Sequence, residues 1–336
     1  MNLEHFGMDS ITLAGPLEAK LRTIESAGFS QVMLNAADIV GHPGGEEAAV
    51  AAVRASGLRV TGFQVLRDFE GLSGHLHAYK VDVAKAMLAM CRALGCNVLL
   101  ACSSSSPHAS GDPAILVRDL QKLATLAVPL GIKVAYEALS WGRHVNQVAE
   151  AWELVDQAAR ANLGLALDAF HLLAQETDLA VLDEIDPAKV FLVQLSDFLW
   201  QHTPTPGERI DTARHHRVFP GEGAHSDKVS AMVRRLDAMG YRGDYSFEVF
   251  NDDYRQLPLP MVADRARRSV KWLTGVVSRR SLPAPDSASS AESLLSGSGL
   301  ARLTIRPASG MPSSLSRSTK YAASRSASDS GAATTR

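Results

Sequence analysis

Short apolar runs alternate with amphipathic segments over residues 1–280, and this alternation predicts a repeated order of strand and helix. The runs are rich in Val, Leu, Ile and aromatic residues and are bounded by Gly, Pro or Asn, as is typical of buried strands. The predicted strands are 10–13, 31–34, 59–64, 97–102, 133–137, 163–168, 189–195 and 244–250. The main predicted helices are 16–27, 46–56, 78–94, 112–130, 145–161, 226–239 and 260–276.

The number of strand–helix units favours one fold class. Eight units in about 275 residues match a single-domain α/β protein of the (β/α)8 or TIM barrel type, here over residues 1–280. A doubly wound sheet alternates in the same way but usually has a glycine-rich phosphate turn after its first strand. The first predicted strand is instead followed by Ala14-Gly15-Pro16, which contains no GxGxxG motif. The barrel is therefore the predicted fold.

Four successive predicted strands end in an oxygen-bearing side chain. A barrel brings these strand ends to the face where its active sites lie. A single strand-end carboxylate most often caps a helix or pairs with an arginine, but three grouped carboxylates repel one another unless a cation lies among them. Carboxylate and amide oxygens suit a divalent cation such as Mg2+, Mn2+ or Co2+. The candidate metal ligands are Glu137, Asp168, Gln194 and Glu248.

Loops after the predicted strands carry groups suited to proton transfer and anion binding. His171 comes just after the sixth strand, where an imidazole can act as a general base, ligate a metal or cap the next helix. His144 occupies the corresponding loop after the fifth strand. Arg67 follows the third strand, where it either pairs with Asp68 or Glu70 or binds an anionic substrate.

The segment 197–223, after the seventh strand, is too long for a routine connection. It contains two arginines and two histidines in succession, at positions 214–217, and we expect it to close over an acid as a lid, with a solvated loop as the alternative. His216 and Arg217 are its candidate substrate-binding residues. Ser103 begins a run of hydroxyls after the fourth strand and is a further candidate.

Composition excludes several classes of protein. A net charge of −2 argues against a nucleic-acid or membrane-surface partner, and no apolar run reaches transmembrane length. The N-terminus lacks the pattern of a signal peptide, and three cysteines without a CxxC pair predict reduced thiols and a cytoplasmic location. The segment 281–336 is dominated by Ser, Ala, Gly and Pro, which predicts a disordered tail.

Several long strings carry a resemblance to a known family. They are Phe63-Gln64 with 67–71, then Cys102-Ser103, 136–146, Leu167-Asp168 with Phe170-His171, 193–195, 214–221, and Phe247-Glu248 with 250–252. Over Leu13 to Trp272 the chain resembles the xylose isomerase-like barrels, and among them the bacterial 3-dehydroshikimate dehydratases. Any one of these strings alone is a weak signal, but together they are specific for this family.

The resemblance implies a metal-dependent hydro-lyase that converts 3-dehydroshikimate into protocatechuate. It implies that the four strand-end residues bind a divalent cation, that His171 transfers a proton as general base, and that Arg67 and Arg217 hold the substrate's carboxylate and hydroxyls. Arg67 and His144 are further catalytic candidates, and Ser103 and His216 are further substrate-binding candidates. The implied partner is a small anionic molecule, and barrels of this group often form homodimers.

Two departures from the family pattern fall on the expected substrate rim. Met33 and Asn35-Ala36-Ala37 stand where an acidic residue is usual, and Ala213 stands where a serine is frequent. They bear on the identity of the substrate rather than on the metal. One alternative is an isomerase or epimerase of sugars or sugar acids that uses the same chemistry; another is a non-catalytic barrel that binds sugar acids. DNA repair of the endonuclease IV type is disfavoured because this chain lacks the basic face and the richer histidine set.

Overall fold

Eight parallel strands close into a barrel, as the sequence predicts. The computed structural model describes residues 2–280, so the predicted tail lies outside the described residues and its boundary at 280 stays a prediction. In chain order the strands of the barrel are β1 Phe6–Asp9, β2 Gln31–Asn35, β3 Arg59–Arg67, β4 Val98–Cys102, β5 Lys133–Glu137, β6 Leu163–Asp168, β7 Val190–Leu195 and β10 Tyr245–Phe247. The two remaining strands, β8 Asp197–Phe198 and β9 Arg217–Val218, form an antiparallel pair outside the barrel.

Amphipathic helices connect the strands and bury their apolar faces. In α5, for example, Leu116, Leu120 and Leu123 are buried, and Asp112 caps the first turn by accepting a hydrogen bond from the Ala114 amide. No helix in the described part of the chain has the length and apolarity needed to span a membrane. The helices are α1 Leu17–Ser26, α2 Ala36–Val40, α3 Gly45–Ala55, α4 Gly74–Leu94, α5 Pro113–Ala127, α6 Val148–Ala158, α7 Ala169–Ala174, α8 Pro206–His215, α9 Ser226–Ala238 and α10 Leu259–Arg280.

The first predicted strand, 10–13, is wrong, because the barrel strand β1 precedes it. Ser10–Thr12 forms a turn of 3-10 helix instead. Its hydroxyls bond to the barrel end: Ser10 Oγ accepts from the Asn35 amide, and Thr12 Oγ1 donates to the Phe247 carbonyl. Thr12 Oγ1 also accepts from the Val249 amide, and the last barrel strand ends at Phe247 rather than at the predicted residue 250.

The period of two along each strand decides which side chains point into the barrel. Residues two apart share a face, so Glu137, Asp168 and Gln194 stand above Ala135, Ala166 and Leu192, which are buried together inside the barrel. The apolar interior therefore ends in a layer of polar groups at the carboxyl ends of the strands. The inner apolar group comprises Met33, Val98, Leu100, Cys102, Ala135, Leu139, Ala166 and Leu192.

Candidate active site

Three buried side chains converge at the carboxyl end of the barrel. Glu137, Asp168 and His171 each offer one ligand atom, and these atoms lie within 4.8 Å of one another. Cys102 Sγ donates to Glu137 Oε2 over 2.8 Å. Burial, followed by the charges of Asp168 and Glu248, raises the pKa of the Glu137 carboxyl well above its usual value.

Arg217 joins two of the predicted ligands. Its Nη1 lies 2.7 Å from Asp168 Oδ2 and 3.0 Å from Glu248 Oε2, and all three side chains are buried. The guanidinium also lies over the Phe170 ring, 4.5 Å from the centroid. Burial raises the pKa of Glu248 to about 7, although the charge of Arg217 acts in the opposite direction. Arg217 is therefore a buried counter-ion of the carboxylates.

Gln194 belongs to a second buried network, with Asp9 at its centre. Gln194 Nε2 donates to Asp9 Oδ2 over 2.7 Å, and Gln64 Nε2 donates to the same oxygen over 3.0 Å. Ser246 Oγ donates to Asp9 Oδ1. Asp9 is fully buried, and burial, followed by the charge of Glu248, raises the pKa of its carboxyl well above the usual value.

Two oxygens of the predicted ligands have no hydrogen-bond donor. Within residues 2–280, four buried side-chain nitrogen or oxygen atoms lack a partner, and Glu137 Oε1 and Gln194 Oε1 are two of them. An unpaired buried polar atom costs free energy, which a bound cation would offset at an oxygen. The two unpaired oxygens and the neighbouring carboxylates form an oxygen-rich donor set, and such a set fits a divalent cation.

The hydrogen bonds of His171 determine where its proton lies. The Ser140 backbone amide donates to Nδ1 over 3.1 Å, so the neutral ring carries its proton on Nε2. Nε2 lies 3.7 Å from Asp168 Oδ2, and the Trp141 ring packs edge-on at 5.0 Å between centroids. Burial lowers the pKa of His171 to about 4. The ring therefore presents an N–H group to the carboxylate cluster.

A cavity of about 320 Å³ opens above the cluster and has a basic rim. Glu137, His171, Arg217 and Glu248 lie in its wall, and Arg67, Arg214 and Arg255 line it with exposed side chains. In the part of the chain that the structure describes, these three guanidinium groups form no hydrogen bond or ion pair. Each of the three can therefore bind an anion without first breaking an ion pair.

The alternative salt bridges of Arg67 are not formed. Asp68 instead accepts from the Ser105 amide over 2.8 Å, and Glu70 accepts from Tyr136 Oη over 2.9 Å. Both acids are thus bonded to other groups, which leaves the guanidinium of Arg67 at the cavity.

Other predicted site residues are distributed between the cavity and its surroundings. Ser103 lines the cavity, and its Oγ accepts from the Leu139 amide over 3.0 Å. His144 lies outside the lining and bonds to the Ala109 carbonyl at 3.0 Å. His216 is also outside it, 3.6 Å from Asp211. The structure therefore gives His144 and His216 contacts with protein groups away from the cavity.

The positions that depart from the family pattern differ in their placement. Asn35 and Ala213 line the cavity, as expected of substrate-rim positions. Met33 does not, because its buried side chain belongs to the apolar group inside the barrel. The expectation that Met33 lies on the substrate rim is therefore wrong.

The long segment 197–223 is folded rather than a simple loop. It contains β8, α8 and β9, and the pairing of Phe198 with Arg217 brings the guanidinium to the carboxylates. Arg209 of α8 donates to the Ser140 carbonyl over 3.0 Å, which attaches the segment to the loop that contacts His171. Its expected role as a lid stays a prediction.

Two residues of the site were not identified from the sequence. Asp9 was missed because its strand was predicted four residues too late along the chain. The sequence did contain a signal for it, since Asp9 is a polar residue directly after the run Phe6-Gly7-Met8. Arg255 follows the last strand in a polar stretch that no motif distinguishes.

Comparison with known proteins agrees with this architecture. The family model of the xylose isomerase-like TIM barrel matches residues 21–275, and the chain belongs to that family. Among solved structures, a xylose isomerase-like TIM barrel/4-hydroxyphenylpyruvate dioxygenase fusion protein superposes with a TM-score of 0.77 at 32% identity, covering 84% of this chain and 45% of that one. The IOLI protein with a bound zinc atom superposes with a TM-score of 0.70 at 21% identity, covering 81% and 99%. The second likeness supports the fold alone.

Curated relatives include two kinds of enzyme. The 3-dehydroshikimate dehydratase of Pseudomonas aeruginosa is 35% identical over 265 residues, which are 79% of this chain and 41% of that protein. The inosose isomerase of Halalkalibacterium halodurans is 34% identical over 142 residues, or 42% of this chain and 48% of that protein. This chain thus spans about two fifths of the length of the dehydratase that it matches.

Proposed function

We propose that this protein is a metal-dependent hydro-lyase that dehydrates a carboxylated cyclic hydroxyketone, 3-dehydroshikimate, to protocatechuate. The proposal is supported by the match to the Pseudomonas aeruginosa dehydratase over 79% of this chain. It is also supported by the combination of a buried carboxylate cluster and a basic rim in one cavity.

The basic rim is the observation that carries the choice of substrate. Arg67, Arg214 and Arg255 line the cavity without ion-pair partners among the described residues. A carboxylated substrate would pair with one or more of them and be fixed in register with the cluster below. A neutral ketose or inosose would leave all three without a counter-ion.

The metal would be held by Glu137, Asp168, Gln194 and Glu248. When bound, a divalent cation there supplies Lewis-acid polarisation of the substrate ketone. The carboxylates of Glu137 and Glu248 both line the cavity, and one of the cluster's carboxylates takes the proton α to the ketone. Mg2+, Mn2+ and Co2+ all accept such oxygen-rich sites.

For His171 we propose a hydrogen-bond donor role instead of the general-base role that the resemblance implies. A general base needs a lone pair facing the substrate, but the Ser140 amide places the proton of the neutral ring on Nε2. His171 therefore donates a hydrogen bond from Nε2 to the oxygen that gains negative charge as the α-proton leaves. A neutral imidazole that acts as a donor is an established catalytic arrangement.

The bonds balance without a redox partner. The C–H bond α to the ketone breaks and its proton passes to the carboxylate. The bond between the β-carbon and its hydroxyl then breaks, the hydroxyl takes that proton and leaves as water, and a carbon–carbon double bond forms between the two carbons. Tautomerisation of the ring then gives the aromatic product. Burial and the ion pairs with Arg217 hold the catalytic carboxylates in place before the substrate binds. This lowers the entropic cost of reaching the transition state.

The test is direct. The purified protein, supplied with Mg2+, Mn2+ or Co2+, should convert 3-dehydroshikimate to a product with the absorbance of protocatechuate, and should not turn over in the presence of a chelator. The same sample is given inosose and common ketoses in parallel. Turnover of these neutral ketones without turnover of the acid would favour the isomerase or epimerase, the second candidate, which the inosose isomerase relative supports.

The remaining expectations belong to this proposal as well. A homodimer and a cytoplasmic location stay predictions, as does the absence of a nucleic-acid or membrane partner.

A further inference from the structure

Asp9 is a buried carboxylate without a cationic partner in the described part of the chain. It is fully buried at the end of β1, and its donors are the neutral side chains of Gln64, Gln194 and Ser246. The negative charges of Asp168 and Glu248 act on it as well. Burying a carboxyl group without a cation is costly, so stability of the fold does not explain an acid at this position.

Two side-chain amides meet on one oxygen of Asp9. Gln194 Nε2 lies 2.7 Å and Gln64 Nε2 lies 3.0 Å from Oδ2. Because only an N–H group can donate to this acceptor, Asp9 determines which end of the Gln194 amide faces it. The other end, Oε1, is buried and accepts no hydrogen bond.

We propose that Asp9 is a positioning residue, which holds the Gln194 amide so that its oxygen rather than its nitrogen is available to a metal. This inference rests on the proposed metal-dependent function. If the amide were reversed, an NH2 group would face the cation, and that group has no lone pair suited to ligation. Asp9 thereby orders one of the four predicted ligands, Gln194.

The inference is tested by titration with Co2+, whose visible absorption reports its ligands, on the wild type and on variants of both residues. Asp9→Ala should weaken Co2+ binding by about 10–100-fold, as the loss of an outer-sphere partner commonly does. In a Gln194→Ala background the same change should cost less than about threefold, because Asp9 acts through Gln194. If the losses of Co2+ affinity caused by Asp9→Ala and by Gln194→Ala multiply in the double variant, the two residues act independently, and the inference is overturned.

Asp9→Asn is the matched control. Its remaining oxygen can accept from both amides while its NH2 group donates to Ser246 Oγ, so we expect Co2+ affinity within about threefold of the wild type. Removing a buried charge should leave the thermal midpoint of the metal-free protein unchanged or higher. If Asp9 were only structural, Asp9→Ala would lower that midpoint and leave Co2+ affinity unaltered, which would also overturn the inference.

If Asp9→Ala does not fold, the inference can be tested with Gln194→Glu and with Asp9→Asn in that background. Gln194→Glu has no N–H to donate and places a carboxylate against Asp9, so Asp9→Asn should strengthen Co2+ binding in that background but not in the wild type. Equal effects in both backgrounds would contradict the inference. A different result would show that the proposed metal-dependent function itself is wrong. In that case the wild type would bind no Co2+, or Gln194→Ala would bind Co2+ as tightly as the wild type.

Discussion

Replacing Arg217 by methionine should strongly destabilise the metal-free protein. The guanidinium pairs with Asp168 and Glu248 at 2.7 and 3.0 Å, and its side chain is only 3% exposed. Methionine fills a similar volume but supplies no charge or donor, so it leaves two carboxylates buried without a cation. Breaking a buried pair in this way typically costs about 3–5 kcal/mol.

This loss is large enough to measure by thermal or urea unfolding in the presence of a chelator. For a protein of this size 1 kcal/mol corresponds to roughly 2–3 °C, so we expect Arg217→Met to melt about 6–15 °C below the wild type. Arg67→Met is the matched control, since this exposed arginine has no ion pair in the described structure. It should change the free energy of unfolding by less than about 0.5 kcal/mol.

A divalent cation should restore part of the lost stability, because it supplies positive charge to the same carboxylates. Saturating Mn2+ should therefore raise the melting temperature of Arg217→Met by more than that of the wild type. A loss below about 1 kcal/mol for the metal-free variant would refute the assignment of Arg217 as the counter-ion.

Three further predictions concern the chemistry and the pH response of the site. Chelation should abolish turnover and readdition of Mg2+, Mn2+ or Co2+ should restore it, whereas full activity of the metal-free protein would exclude metal dependence. His171→Ala should lower kcat by about 10²–10³-fold, while His171→Gln, which keeps an N–H donor, should retain at least about a tenth of wild-type activity; equal losses in both variants would instead indicate a base. Burial raises the pKa of Glu70 to about 7, so the folded protein holds a proton that the unfolded chain has released, and this contribution to stability falls as pH rises from about 4.5 through 7. Glu70→Gln should remove about 3 kcal/mol of that decline, as measured by urea unfolding at pH 4.5 and pH 8.

The strands that carry the candidate ligands could be predicted from sequence because their signals are local. β5 and β6 have the predicted bounds, since each is a continuous apolar run that ends in an acid. β1 is harder because it has four residues and includes Gly7, so the apolar residues after it gave the stronger pattern. Missing that strand also hid Asp9, the centre of the second network.

The contacts that define the site could not be predicted because they join distant parts of the chain. Arg217 lies 49 residues after Asp168. Because it belongs to the basic and histidine residues at 214–217, the sequence suggested that it binds substrate at the surface rather than that it is a buried counter-ion. The proton position on His171 depends on the Ser140 backbone amide, 31 residues earlier. No residue pattern contains that information, because the direction of a backbone N–H is fixed only by the folded loop.

The folded segment 197–223, between β7 and α9, has a consequence for protein engineering. Loops at this end of a barrel are often exchanged between relatives to change specificity. Here the exchanged piece would also remove the cation at the centre of the carboxylates and the Arg209 contact to the Ser140 loop. A transplanted segment therefore has to bring its own buried arginine in the same register. A chimera with a neutral loop would lose its folded acid cluster before its new specificity could be measured.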